Sequence, residues 1–183
     1  MKKLNILGIN GSASPNSSNL AILKIIEKMG RDEFNMELID DLSKLPHFRT
    51  DLTTENVPGS IIEFRNQIEN ADGIIISTPE YVFSIPSGLK NAIEWCVSET
   101  ILTDKITALI TASSSGTKGH EELILIMKTV QTYFTKETTL LIQGIKGKVN
   151  SSGEITDAKT ENRILKLVES FVNLKKGPAG NNR

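Results

Sequence analysis

Apolar residues along this chain fall into short runs and helically spaced stripes that alternate from beginning to end. Residues 4–9 form a mostly apolar run that stops at Asn10-Gly11-Ser12, the pattern of a buried parallel strand ahead of its turn. From Asn19, the positions Leu20, Leu23, Ile26 and Met29 recur at helical spacing, widened by Ala21, Ile22 and Ile25, until Gly30 supplies a stop. Residues 35–39 read as a second strand. Residues 40–56 are polar and irregular, and 60–70 carry Ile61, Ile62, Phe64 and Ile68 on a second helix. A third strand over 72–77 leads into a loop fixed by Pro79 and Pro86, and a third helix is expected over 89–97. The pattern then predicts a strand over 105–111, a small-residue loop over 112–119, a helix over 121–134 and a strand over 138–143. A last helix is expected over 157–174, followed by a frayed tail over 175–183.

Five strands alternating with five helices predict a single α/β domain over residues 1–174, built on a parallel sheet covered on both faces and joined by right-handed crossovers. In such folds ligands bind outside the carboxyl ends of the strands, where the strand order reverses. The loops after the first, third and fourth strands therefore hold the candidate chemistry.

Composition narrows that chemistry. The chain has 183 residues with a net charge of -1, so no long-range field favours nucleic acid or an anionic membrane. One cysteine, Cys96, and two histidines, His47 and His120, exclude a disulfide framework or a structural zinc site within one chain. The same scarcity leaves few side chains for imidazole or thiolate catalysis, so a reactive group of another origin is expected. The apolar run after Lys2-Lys3 is interrupted by Asn5 and ends at Asn10, too short for a signal peptide or a membrane span. A cytoplasmic protein is the expectation.

The first loop, residues 11–19, holds four Ser and two Asn at the entrance to a helix, where amides and partial positive charge suit a phosphate. It is neither a Walker A loop nor a Gly-x-Gly-x-x-Gly fingerprint, and an N-cap alone would need only one Ser or Asn. The second loop, Thr78-Pro79-Glu80-Tyr81-Val82-Phe83-Ser84-Ile85-Pro86, places two of the chain's nine aromatics between prolines on the ligand edge, as a flat aromatic ligand would require. Coverage of the sheet end or an oligomer contact would also account for Tyr81 and Phe83. The third loop, from Ala112 through Ser113 and Gly116 to Gly119, has little bulk, so a ligand can approach its backbone.

Gly11-Ser12 with Ser17 and Asn19, then Pro79-Glu80-Tyr81, Ser84-Ile85-Pro86 and Leu89-Lys90-Asn91-Ala92-Ile93-Glu94-Trp95, resemble the NADPH-dependent FMN reductase family. That family includes quinone, azo-dye and chromate reductases on a flavodoxin-like, doubly wound five-stranded sheet of order 2-1-3-4-5. The resemblance implies FMN as cofactor, its phosphate held by Ser12, Ser14, Ser17, Ser18 and Asn19. It further implies that Pro79, Glu80, Tyr81, Val82, Phe83 and Ser84 contact the ring and ribityl chain, with Ser113 and Gly116 near the ring's other edge. Two positions depart from the family: Ser14 stands where an arginine is common, and Val82 where an asparagine is common.

The implied reaction passes hydride from NADPH or NADH through flavin N5 to a free flavin, quinone, azo compound or metal oxyanion, in ping-pong order and with no catalytic side chain. The family also implies a homodimer or homotetramer. Glu80 is expected to meet the ligand or solvent, Lys118 and His120 to be surface groups within reach of a nucleotide phosphate, and Trp95 and Cys96 to lie in the core or a subunit contact. The alternatives are a flavodoxin-type electron carrier without reductase activity, and a regulatory or binding module without flavin.

Overall fold

A computed structural model describes residues 2–176. Five parallel strands form one sheet: β1 Leu4–Asn10, β2 Phe34–Ile39, β3 Gly73–Thr78, β4 Thr107–Ser113 and β5 Thr139–Gln143, in the spatial order β2-β1-β3-β4-β5. This is the flavodoxin-like order, whose reversal lies between β1 and β3. There Ile6 pairs with Gly73 and Asn10 with Ser77, so the two strand ends sit side by side. The helices are α1 Ser18–Met29, α2 Gly59–Asn70, α3 Ser87–Glu94, α4 Thr117–Thr129 and α5 Ala158–Lys176. None of them is long and apolar enough to cross a membrane.

Side chains alternate across the sheet and so build two cores. Ile75, Ala108, Ile110 and Ile142 face α1 and α5, meeting Ile22, Ile26, Ile164 and Phe171. Ile74, Ile76 and Leu109 face the other side and meet Phe64, Leu89, Leu123 and Met127. With both faces filled, the strands carry near-continuous apolar runs, which is why they were legible as strands.

Three helices differ from the sequence pattern at their boundaries. The third ends at Glu94 instead of 97: beyond it the chain tightens into three-residue turns, Cys96 N donating to Ile93 O at 3.0 Å and Val97 N to Glu94 O at 3.2 Å, while the freed Trp95 carbonyl accepts from Arg65 Nε at 2.8 Å. The fourth helix starts at Thr117 and stops at Thr129, about four residues earlier than its pattern at each end. Gly116 (φ 84°) opens it and Gln131 (φ 59°) turns the chain out. Tyr133 then joins the start of β4, its carbonyl accepting from Thr107 N at 2.8 Å and its amide donating to Lys105 O at 3.0 Å. The last helix continues to Lys176, two residues into the segment expected to fray. Residues 177–183 lie outside the described residues.

Candidate functional site

The carboxyl end of β1 is organised by one buried side chain. Asn10, with no exposed surface, accepts from Ser12 N at 3.2 Å and from Ser17 Oγ at 3.3 Å, and donates to Asp40 O at 2.9 Å. It therefore fixes the first loop, the start of α1 and the chain leaving β2 relative to one another. Ser17 is the N-cap of α1: its hydroxyl accepts from Leu20 N at 3.1 Å while donating to Asn10. Asn19 faces inward, its Nδ2 donating to Ala112 O at 3.1 Å and its Oδ1 accepting from Ser77 Oγ at 2.9 Å. That strut ties α1 to β3 and β4, so what Asn19 presents to the loop is its backbone amide. The first-turn amides of Ser18 and Asn19 take no partner among the described residues; Ser14, earlier in the same loop, is exposed and Ser18 half-buried.

The second loop leaves β3 through the buried Pro79 and closes a tight turn. Tyr81 N donates to Ser84 O at 2.9 Å and Ser84 N to Tyr81 O at 3.0 Å, with Val82 (φ 52°) and Phe83 (φ 58°) both left-handed between them. Two left-handed central residues define the hairpin-type turn that normally takes Asn or Gly. Its tip is bare: Val82 is 96% exposed and Phe83 76%. Tyr81 reaches back across the switch point, its hydroxyl 3.3 Å from Ser12 Oγ.

Glu80 does not project into solvent. Its carboxylate caps α4, accepting from Gly116 N at 3.3 Å and Gly119 N at 2.8 Å. Ser113, half-buried, ends β4 just before this cap. The third loop is thereby linked to the second through Glu80 and Gly116, and to the first through Asn19 and Ala112.

A cleft of about 730 Å³ opens between the first loop, the Tyr81 turn, the N-terminus of α3 and the segment after β2. Of the predicted site residues it takes Ser12, Ser14 and Tyr81; Asp40, Lys44 and His47 form the wall that the sequence pattern left as irregular. This wall is held from behind. Asn91 Oδ1 accepts from Phe48 N at 2.7 Å, and Asn91 Nδ2 and Trp95 Nε1 both donate to Pro46 O, at 3.0 and 2.8 Å. Phe48 packs edge-on to the Trp95 ring with centroids 5.2 Å apart. The wall was missed because its own residues are unremarkable; the signal lay in the polar positions of the Leu89–Trp95 motif, which have no reason to be buried unless they hold something.

Several titratable groups around the sheet's binding edge are engaged. His120 sits with Nδ1 2.9 Å from the Thr111 hydroxyl, and burial holds its pKa below the usual imidazole value, against a smaller opposing pull from Glu121. Lys118 pairs with Glu121 at 2.8 Å on the exposed face of α4. Burial pushes the Cys96 thiol up to about 12, so no thiolate is on offer at neutral pH. On the cleft wall, bonding to Ser43 and then the charge of Lys44 keep the Asp41 carboxyl below the usual range. The result is a shaped, polar-rimmed cleft whose wall carries the charged or titratable side chains of Asp40, Asp41, Lys44 and His47.

Comparison with known proteins is consistent with such a site. Residues 4–146 match the family model described as NADPH-dependent FMN reductase. The NADH:(hydroxy)cinnamate reductase subunit CrdA of Vibrio ruber is 30% identical over 174 residues, covering 92% of this chain and 84% of the relative. The NAD(P)H:quinone oxidoreductase of Solanum tuberosum is 28% identical over 169 residues, covering 88% and 87% respectively. Among solved structures, the flavoenzyme NAD(P)H:(acceptor) oxidoreductase FerB of Paracoccus denitrificans superposes with a TM-score of 0.81 at 24% identity, covering 94% of this chain and 97% of that one.

Proposed function

The chain belongs to the NADPH-dependent FMN reductase family, and we propose that it binds FMN at the β1–β3 switch point and uses it to reduce a small acceptor with NADPH or NADH. The observation that carries this reading is the meeting of Ser12 and Ser14 of the first loop, Tyr81 and the start of α3 around one cleft of about 730 Å³, a size typical of small-ligand sites. The donor set fits a phosphate-bearing flavin. The free amides of Ser18 and Asn19, with the hydroxyls of Ser14 and Ser18 beside them, suit an anion at the start of α1. Ser12 and the Ser17 cap shape that cradle, and no arginine or lysine lies within the loop, so binding rests on dipoles.

Pro79, Glu80, Tyr81, Val82, Phe83 and Ser84 frame the ring in this reading, with Ser113 and Gly116 on the far side. FMN, when bound, supplies the two-electron chemistry between NAD(P)H and the acceptor. The protein binds and orients the reactants and excludes competing chemistry, which matches a chain whose buried Cys96 and half-buried His120 are both committed elsewhere. Nicotinamide and acceptor take turns in the same cleft, giving ping-pong kinetics, and acceptors of the quinone class are the first to test. The single, buried cysteine suits the reducing cytoplasm.

Steady-state oxidation of NADPH and NADH by the FMN-loaded protein, at several fixed concentrations of a soluble quinone, tests the reading. Parallel double-reciprocal lines are expected. Intersecting lines would remove the shared cleft, and no turnover with any acceptor would leave a carrier or binding module instead.

A further inference from the structure

The second loop is fastened to α4 at both ends of its turn. On the near side, the Glu80 carboxylate accepts from Gly116 N at 3.3 Å and Gly119 N at 2.8 Å. On the far side the roles reverse, and Glu122 of α4 accepts from Ile85 N at 3.3 Å. Each bond spans 36 to 39 residues of sequence, so none is a local turn contact. The packing agrees with the bonding: a Cβ on Gly119 would stand 3.1 Å from Glu80 Cβ and 3.2 Å from Cγ, so the helix can approach Glu80 this closely only with glycine there. Between the two fastenings lies the turn with left-handed Val82 and Phe83, a conformation that persists only where its surroundings hold it.

We propose that Glu80 and Glu122 are positioning residues that clamp the Tyr81–Ser84 turn to α4, so that the turn meets the flavin in one fixed presentation. The inference rests on the FMN reading above and gives the carboxylates of Glu80 and Glu122 a role in holding the turn, whatever the Glu80 backbone contributes to framing the ring. The clamp also places a carboxylate at the anion-attracting start of α4, leaving the starts of α1 and α3 as the places where a phosphate finds unpaired helix amides at the binding edge. Gln at position 80 keeps one acceptor oxygen where two amides need one each, and it brings an NH₂ group against an N–H.

The test compares wild type, Glu80→Gln, Glu122→Gln and Gly119→Ala by FMN titration, the visible absorption and circular dichroism of the bound flavin, and thermal unfolding of the flavin-free protein. Glu80→Gln is expected to raise the FMN Kd about tenfold, the scale of a lost charge-assisted bond, and to change the bound-flavin spectrum. Glu122→Gln, which keeps an oxygen for its single amide and loses only the charge, moves both in the same direction and by less. Gly119→Ala is the decisive variant, because alanine strengthens the helix while pushing Glu80 away: FMN affinity falls and the spectrum changes although unfolding occurs at the same or a higher temperature. Variants that lose thermal stability while keeping wild-type affinity and spectrum would make the clamp merely structural and overturn this inference alone. Wild-type protein that takes up no FMN would overturn the flavin reading and the clamp's role with it.

Discussion

Val82 occupies a position its side chain resists. A β-branched residue in the left-handed region crowds its Cβ against the backbone, at a cost of about 1–2 kcal/mol, and at 96% exposure it recovers nothing by burial. Val82→Asn should therefore raise the unfolding free energy by about 1 kcal/mol, read by urea denaturation, with no loss of FMN affinity. The departure from the family at this position is therefore a matter of backbone strain. His120 gives a prediction in pH. Its folded pKa lies below its ordinary value near 6.5 because the neutral ring is buried beside Thr111. Unfolding thus releases a ring that binds protons more readily, so stability is full above pH 6.5 and falls as pH drops through and below that value. Thermal scans from pH 7.5 to 5.5 should show this decline in wild type and a flatter profile in His120→Asn. Asn19 and Glu80 show what residue types conceal: their presence in ligand-edge loops was legible, but their partners, 93 and 39 residues away, were not.

Among the elements, α3 does more than cover the sheet. Its apolar positions, Leu89, Ala92 and Ile93, face the core, and its two polar contacts, Asn91 and Trp95 Nε1, reach Pro46 and Phe48 behind the cleft wall. Asn91→Ala removes two bonds and leaves the Phe48 amide and part of the Pro46 carbonyl unpaired, a destabilisation of about 1–3 kcal/mol. Because the wall shapes the cleft, the KM for the acceptor should rise more than kcat falls. Trp95→Phe keeps the ring packing against Phe48 but removes the Nε1 donor, so it should show the same change in smaller measure. Equal proportional loss in Asn91→Ala and Trp95→Phe would separate the tryptophan ring from this role. The strands and α1, α2 and α5 were readable to within a residue or two, since each has an apolar stripe that must be buried. The ends of α3 and α4 were not, because the three-residue turns after Glu94 leave the apolar pattern unbroken and the Glu80 cap comes from another element.

At the scale of the whole molecule, the alternation of strand and helix led to a parallel sheet covered on both faces, and the order 2-1-3-4-5 implied by the family resemblance is the one observed. The segment after β2 was opaque because it is held by α3 and Asn10 and not by any periodicity of its own. Phe83, Val97 and Leu125 remain exposed on the chain, apolar area that a homodimer or homotetramer would cover; sedimentation should show a species above 20.1 kDa, and Phe83→Ser should weaken it if the turn takes part. In the proposed reading, a chain poor in reactive side chains borrows its chemistry from FMN held at the β1–β3 edge. The most direct measurement is the visible spectrum of the purified protein, recorded after incubation with FMN and removal of the excess, and again after anaerobic addition of NADPH or NADH. The account predicts flavin bands that are retained with the protein and bleach on addition of the nicotinamide. Protein that stays colourless after FMN, or bound flavin that neither nicotinamide bleaches, would contradict it.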